Sequence, residues 1–347
     1  MALPDGSLAG VQVAATAIAQ VDGEKGEARV RGYLLQELAR KLRYEEVAFL
    51  VLRGERPSPV ELERFRSDLA RGAAQCPLPR AGEGEGLFGP VSEAEALVAA
   101  LALIAAGPKE APELLLGRFP DACAAAAGRP KPDPGASYAR RSLAALGATR
   151  ADAAAERALE VLLSLESEHG ISASSFAARV AASSGGSLAS AMAAGAAALG
   201  GPRHGGATAQ ARELLRAAAA SGDPRRFVRE HPGPVPGFGH RVYKVPDPRV
   251  PPLREALATL GKVPLLAVAE AIEAELLPKL APKRVYPNVD FYGAVLLDAL
   301  GVPPTSFVAA FALGVAPGWL AHAMEQQASG RLVRPDSAYV GPPPRDL

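Results

Sequence analysis

The chain has 347 residues, of which 48% are hydrophobic and 22% charged, and its 38 basic and 37 acidic residues leave a formal net charge of +1. That length exceeds what one hydrophobic core usually supports, so two domains, or one large domain with a lobe, are expected. The even charge offers no basic surplus for nucleic acid, and two cysteines, Cys76 and Cys123, make neither a disulfide scaffold nor a metal-ligand pattern, which fits a reducing cytoplasm.

The N-terminus lacks the charged and apolar regions of a signal peptide. The longest apolar stretches, 96–106 and 187–199, fall short of the roughly 20 residues a membrane span needs, so no membrane is expected. Residues 11–14 and 28–31 read as strands around the turn Asp22-Gly23-Glu24-Lys25-Gly26, a small β-hairpin. From Tyr33 the helical period takes over, with Leu34, Leu35, Leu38, Ala39 and Leu42 on one face. A second helix begins near Glu45 and is stopped by Gly54 and Pro57. A third runs over 59–70, with Ser58 as cap and Pro59 as first residue. Residues 76–90 read as a loop. Ser92 with Glu95 forms a capping box for an apolar helix to 106. After a proline-rich loop at 128–136, helices are predicted over 138–146, 150–168, 172–184, 188–199 and 205–220. Residues 222–251 form the longest irregular stretch. Helices over 252–277, 291–300, 306–315 and 318–329 and an extended tail at 331–339 follow. The pattern is all-α with a small β-hairpin, and the composition changes near 204.

Three segments set a lone acid–base side chain among glycines and prolines: 200–206 with His204, 236–249 with His240, and 286–293 with Asp290. A helix starting just past His204 would present unpaired N–H groups that favour negative charge, and an imidazole there could donate to an oxygen becoming an enolate. A helix-capping histidine beside a flexible turn fits the same residues. His240 is followed by Arg241, Lys244 and Arg249, a cluster suited to a carboxylate or phosphate; the other reading is a solvated basic loop. Asp290 precedes an apolar helix, where an ordinary N-cap competes with a base in a dry pocket. His231 is expected at the surface and His322 in packing. No motif for a metal or a phosphate-binding loop is present.

Taken together, these segments resemble the citrate synthase family. The likeness rests on Gly-Pro-x-His-Gly-Gly-Ala at 201–207, Gly-Phe-Gly-His-Arg-Val-Tyr-Lys with Asp-Pro-Arg at 237–249, and Tyr-Pro-Asn-Val-Asp-Phe-Tyr at 286–292. It extends to Gly-Trp-Leu-Ala-His at 318–322, Arg-Leu-Val-Arg-Pro from 331, and Asp-Gly-Glu-Lys-Gly at 22–26. The resemblance implies a helical homodimer whose two domains close over acetyl-CoA and oxaloacetate. The large domain would take 1–203, the small domain 204–300, and the chain would return to the large domain over 301–347. Asp290 would take a proton from the acetyl-CoA methyl group, His204 would stabilise the enol, and His240 would polarise the ketone of oxaloacetate and protonate the alkoxide. Arg249 and His169 would bind the oxo acid, Arg334 would reach the partner subunit's site, and Lys244, Lys283 and Arg284 would meet the CoA phosphates. No tightly bound cofactor is implied, since the CoA thioester is a substrate.

The chain departs from the family around the oxo acid. The arginine usual four residues before the Gly-Trp tryptophan is Val315. The family's His-Glu-x-Asn becomes His169-Gly170-Ile171-Ser172, a histidine often found three residues earlier is Glu166, and Thr208-Ala209 replaces an Asn-Glu pair. Three readings follow: citrate synthase with a compensating cation, for which Arg203 is the candidate; a relative using another 2-oxo acid or acyl-CoA, or cleaving citryl-CoA; and a non-catalytic paralogue that binds a partner.

Overall fold

In the computed structural model, residue 8 and residues 10–78, 91–104 and 110–345 are described. The turn at Asp22–Gly26 closes a hairpin between β1 (Ala19–Asp22) and β2 (Glu27–Val30), paired from Asp22 with Glu27 to Ala19 with Val30, and β3 (Tyr33–Leu34) adds to the far edge. The second strand lies close to its predicted place, but the first is not at 11–14, which has no regular structure. A hairpin strand must adjoin its turn, and 11–14 lies too far upstream.

The helices that carry local start and stop signals form as expected. They are α1 (Leu35–Lys41), α2 (Tyr44–Arg53), α3 (Pro59–Ala74) and α4 (Glu93–Leu103). Ser58 with Glu61 and Ser92 with Glu95 form complete capping boxes, and Gly54 ends α2 in the left-handed conformation. The expected loop over 79–90 and the end of the helix predicted to 106 lie outside the described residues. The periodicity gave no sign of α5 (Pro112–Ala126). This helix is buried on nearly every side, so it has no polar face to mark a period, and Pro112 and Pro120 look like breakers. Its three buried charges are paired: Glu113 with Arg53, Arg118 with Glu110 at 2.6 Å and Asp121 with Arg141 at 3.0 Å.

Then come α6 (Tyr138–Ala145), α7 (Ala153–Glu166), α8 (Ala173–Ser183), α9 (Leu188–Leu199) and α10 (Ala207–Ala220). The stretch expected to be irregular holds a short helix, α11 (Pro224–Glu230). The single helix expected over 252–277 is two, α12 (Val250–Thr259) and α13 (Pro264–Leu280), separated at Gly261, whose φ is +76°. α14 (Val289–Ala299) follows, and the two last predicted helices are one, α15 (Phe307–Ser329). α8, α9 and α15 pack together, α3 lies on α5, α10 packs against α13 and α14, and α12 bridges to α7.

Pro317 does not break α15 because its lost hydrogen bond is replaced. Proline has no N–H for the carbonyl four residues back, that of Leu313. The hydroxyl of Tyr44 donates to Leu313 O at 2.7 Å and that of Tyr138 approaches it at 3.2 Å. With the preceding turn, α15 is long and apolar enough to cross a membrane, but 78% of its most apolar window is buried against the surrounding helices, as a core helix requires. Each of Tyr44→Phe and Tyr138→Phe should cost about 1 kcal/mol, and the double variant should exceed their sum by about 1 kcal/mol, because only then is the carbonyl left bare. Urea unfolding of the singles and the double measures this; strict additivity would contradict the shared role.

Candidate active site

Two glycines shape the loop that carries His240. Gly237 and Gly239 have φ of +81° and +88°, which other residues rarely adopt, and a Cβ on Gly237 would lie 2.7 Å from that of Phe291. This close approach lets the loop lie beside the segment before α14. Phe238 bridges Pro287, Gly239 N–H donates to Tyr286 O at 2.8 Å, and Asn288 N–H donates to Gly237 O at 2.9 Å. Asn288 joins the two segments again. Its amide donates to Gly239 O at 2.7 Å while its side-chain oxygen caps α14 by accepting from Asp290 N–H at 2.9 Å. The cap of α14 is therefore Asn288, which leaves the Asp290 carboxyl free for other work.

That carboxyl accepts from Thr208 Oγ1 at 2.5 Å, across from α10. Burial raises the pKa of Asp290, and the Thr208 bond and the Arg249 charge pull it back part of the way. The loop between α9 and α10 holds His204 through its N–H to Gly201 O at 2.9 Å. Its Nε2 lies 3.1 Å from Ser174 Oγ, and burial lowers its pKa, so it is neutral at pH 7.

His240 has a defined tautomer. Its Nδ1 accepts from the backbone N–H groups of Val242 at 3.1 Å and Tyr243 at 3.0 Å. The proton of the neutral ring must then sit on Nε2, which is 3.4 Å from Arg249 Nη2. Burial, then the Arg249 charge, lowers its pKa to about 4. The His169 ring lies edge-on to His240 at 5.4 Å between centroids, and its Nε2 is 2.7 Å from the Tyr243 hydroxyl. Burial followed by the Arg249 charge holds His169 well below the usual histidine range.

Arg249 is 4% exposed and Asp247 3%, and they meet in a two-pronged pair, Nε to Oδ1 at 3.0 Å and Nη2 to Oδ2 at 2.9 Å. Burial pushes the Asp247 carboxyl up, but the charge and hydrogen bonds of Arg249 outweigh it and leave the group below its ordinary value. Asp247 Oδ2 also accepts from Val289 N–H at 3.2 Å, which ties the pair to α14. Glu166, the last residue of α7, lies 3.3 Å from Arg249 Nη1. A cavity of about 540 Å³ backs onto Asp247, but none of His169, His204, His240, Arg249 or Asp290 lines it.

Comparison with known proteins gives the family. A family model described as citrate synthase, C-terminal domain, matches residues 7–336. The citrate synthase of Saccharolobus solfataricus is 32% identical over 99% of this chain and 97% of its own. The chain belongs to the citrate synthase family. The fold of citrate synthase from Thermotoga maritima superposes with a TM-score of 0.84 at 30% identity, covering 99% of this chain and 98% of the other. The Thermoplasma acidophilum citrate synthase, solved in a ternary complex with carboxymethyl coenzyme A and oxaloacetate, superposes with a TM-score of 0.83 at 27% identity, covering 97% of this chain and 96% of the other.

Other residues singled out from the sequence fall in different places. Lys244 Nζ donates to Arg241 O at 3.1 Å, and its backbone N–H donates to Gly23 O at 2.9 Å. Arg284 donates to Lys244 O at 3.1 Å and pairs with Glu24, while Lys283 is exposed beside it. These cations gather where the hairpin turn meets the His240 loop. Arg203 is exposed and makes no hydrogen bond or ion pair among the described residues, so the compensating cation expected there has no support. Arg334 is exposed in the C-terminal segment and makes no hydrogen bond or ion pair among the described residues. His322 is fully buried, between Arg179 at 2.9 Å and Glu168 at 3.1 Å, and His231 stacks on Phe227 at 6.3 Å. Among the described residues, no group of three or more His, Cys, Asp or Glu side chains is placed to hold a metal ion.

In the sequence Thr208 is only a departure from the family, and nothing there points to Asn288 as the link or to Tyr243 as the partner of His169. Replacing Thr208 with Val removes a bond that holds Asp290 ionised. A carboxyl that serves as a base must be ionised to accept a proton, so with Asp290 in that role activity falls as pH drops through its pKa. In Thr208→Val that fall should begin at a higher pH, and kcat should drop about tenfold. A pH–rate profile that does not move would assign Thr208 a packing role only.

Proposed function

We propose that this chain joins acetyl-CoA to oxaloacetate and hydrolyses the resulting thioester to citrate and CoA. One observation carries the reading: the two backbone N–H groups on His240 Nδ1 leave a neutral Nε2–H beside the buried Arg249. That is a donor for a ketone oxygen next to a cation for a carboxylate. Full-length similarity to proteins named citrate synthase, one of them holding oxaloacetate and a CoA analogue, supports the same substrates and does not favour another oxo acid, citryl-CoA cleavage or a non-catalytic role.

In this reading Asp290 takes a proton from the methyl carbon of acetyl-CoA, and neutral His204 donates to the thioester oxygen as the enolate forms. The methyl carbon attacks the ketone carbon of oxaloacetate, the carbonyl electron pair moves to oxygen, and His240 Nε2–H protonates it. Water then adds to the thioester carbon. The departing thiolate takes the proton held by Asp290, His240 recovers one from the water, and the new carboxyl ionises. Arg249 holds an oxaloacetate carboxylate with His169 beside it. Lys244, Lys283 and Arg284 receive the CoA phosphates, and no tightly bound cofactor is called for. Helices α10 to α14 act as the smaller domain that closes the cleft.

A thiol-release assay with acetyl-CoA and a panel of 2-oxo acids tests the reading: oxaloacetate should be the best acceptor. Asp290→Asn should lower kcat by about 10³-fold or more and spare substrate binding. Arg249→Ala should chiefly raise the oxaloacetate KM, by a cost of about 2–5 kcal/mol. Equal, mild losses from both would contradict these roles.

The active form is proposed as a homodimer in which Arg334 reaches the partner's site. The C-terminal segment leaves Leu332, Tyr339 and Val340 exposed at 61%, 79% and 73%, more apolar surface than a free tail needs. Mixing inactive Asp290→Asn and Arg334→Ala subunits should restore about a quarter of wild-type activity, since half of the dimers then carry one intact site. No recovery after subunit exchange would place Arg334 outside the site.

A further inference from the structure

The missing arginine at Val315 leaves the second carboxylate of a dicarboxylic oxo acid without its usual partner. Glu166 sits beside that gap. A Cβ built on Gly314, next to Val315 in α15, would lie 2.8 Å from Glu166 Cβ, so the side chain leaves α7 against the turn that carries Val315. Its Oε1 is 3.3 Å from Arg249 Nη1, and its Oε2 makes no hydrogen bond among the described residues. We propose that the Glu166 carboxyl, in its protonated form, donates a hydrogen bond from its free oxygen to the second carboxylate of oxaloacetate and so sets the preference for a dicarboxylic acceptor.

The charged groups facing Glu166 are Arg249 and Asp247 from the His240 loop and Asp290 from α14; the turn of α15 at Gly314 and Val315 brings none. Burial raises the Glu166 pKa to about 8 against the pull of Arg249, with Asp290 and Asp247 adding to the rise. Below that pH the group is a neutral donor. Above it, the donor is lost and a negative charge faces the substrate carboxylate.

This inference rests on the oxaloacetate reading, and steady-state kinetics of the full-length protein from pH 6.5 to 9 separates the two. In the wild type, kcat/KM for oxaloacetate should fall as pH rises through about 8. Glu166→Ala should raise the oxaloacetate KM at pH 7 by roughly 10- to 100-fold, with little change for a monocarboxylic 2-oxo acid. Glu166→Gln, whose amide donates at every pH, should recover most of what Glu166→Ala loses and abolish the fall above pH 8. Thermal unfolding of both variants checks that each is folded. If Glu166→Gln loses oxaloacetate as badly as Glu166→Ala, or both acceptors suffer equally, or the wild-type profile is flat to pH 9, the donor role is wrong while the condensation stands. If the wild type shows no turnover with oxaloacetate, both are wrong.

Discussion

Asp247 and Arg249 are buried together, and neither could stay there alone, because an unpaired ion in a dry site costs several kcal/mol. Their two-pronged contact fixes the guanidinium plane, and the bond from Val289 N–H to Asp247 fixes the pair to the start of α14. Asp290 is the next residue along that helix. The same pair therefore positions the Arg249 guanidinium, the loop that carries His240, and the Asp290 carboxyl. Asn288 repeats the link from the other side, through the carbonyl of Gly239.

The arginine also sets the protonation of its neighbours. After burial, its charge is the largest influence holding down both His240 and His169. Two backbone N–H groups on His240 Nδ1 act in the same direction, because they occupy the lone pair that a second proton would need. The result is a site in which the imidazoles of His240 and His169 are neutral and the carboxyls Asp290 and Glu166 bind protons more tightly than free acids. In the proposed mechanism the raised pKa makes Asp290 a better base toward carbon, and the same effect of burial keeps Glu166 protonated near neutrality.

Much of the scaffold was legible because its boundaries are local chemistry. Ser58 with Glu61, Ser92 with Glu95 and the glycine at 54 fix helix ends through contacts a few residues long. What escaped depends on distant contacts. α5 is wrapped by other helices and shows no period, and the continuity of α15 through Pro317 relies on hydroxyls from Tyr44 and Tyr138, far away in sequence. The first hairpin strand was misplaced because β-branched residues at 11 and 13 looked more strand-like than the segment that pairs. At the site, His204, His240 and Asp290 stood out through their glycine and proline frames. Thr208, Asn288, Tyr243 and Glu166 did not, since each owes its role to a partner on another element. Arg203 illustrates the converse: a cation beside His204 in sequence that lies on the surface.

The account turns on the buried pair presetting His240 as a neutral Nε2–H donor. Nitrogen-15 NMR of the histidine rings in the full-length protein reads that state directly. The His240 ring should show a protonated Nε2 and a bare Nδ1 at pH 7, and should remain neutral on acidification until about pH 4. A His240 ring that carries its proton on Nδ1, or that becomes an imidazolium near pH 6.5, would contradict it.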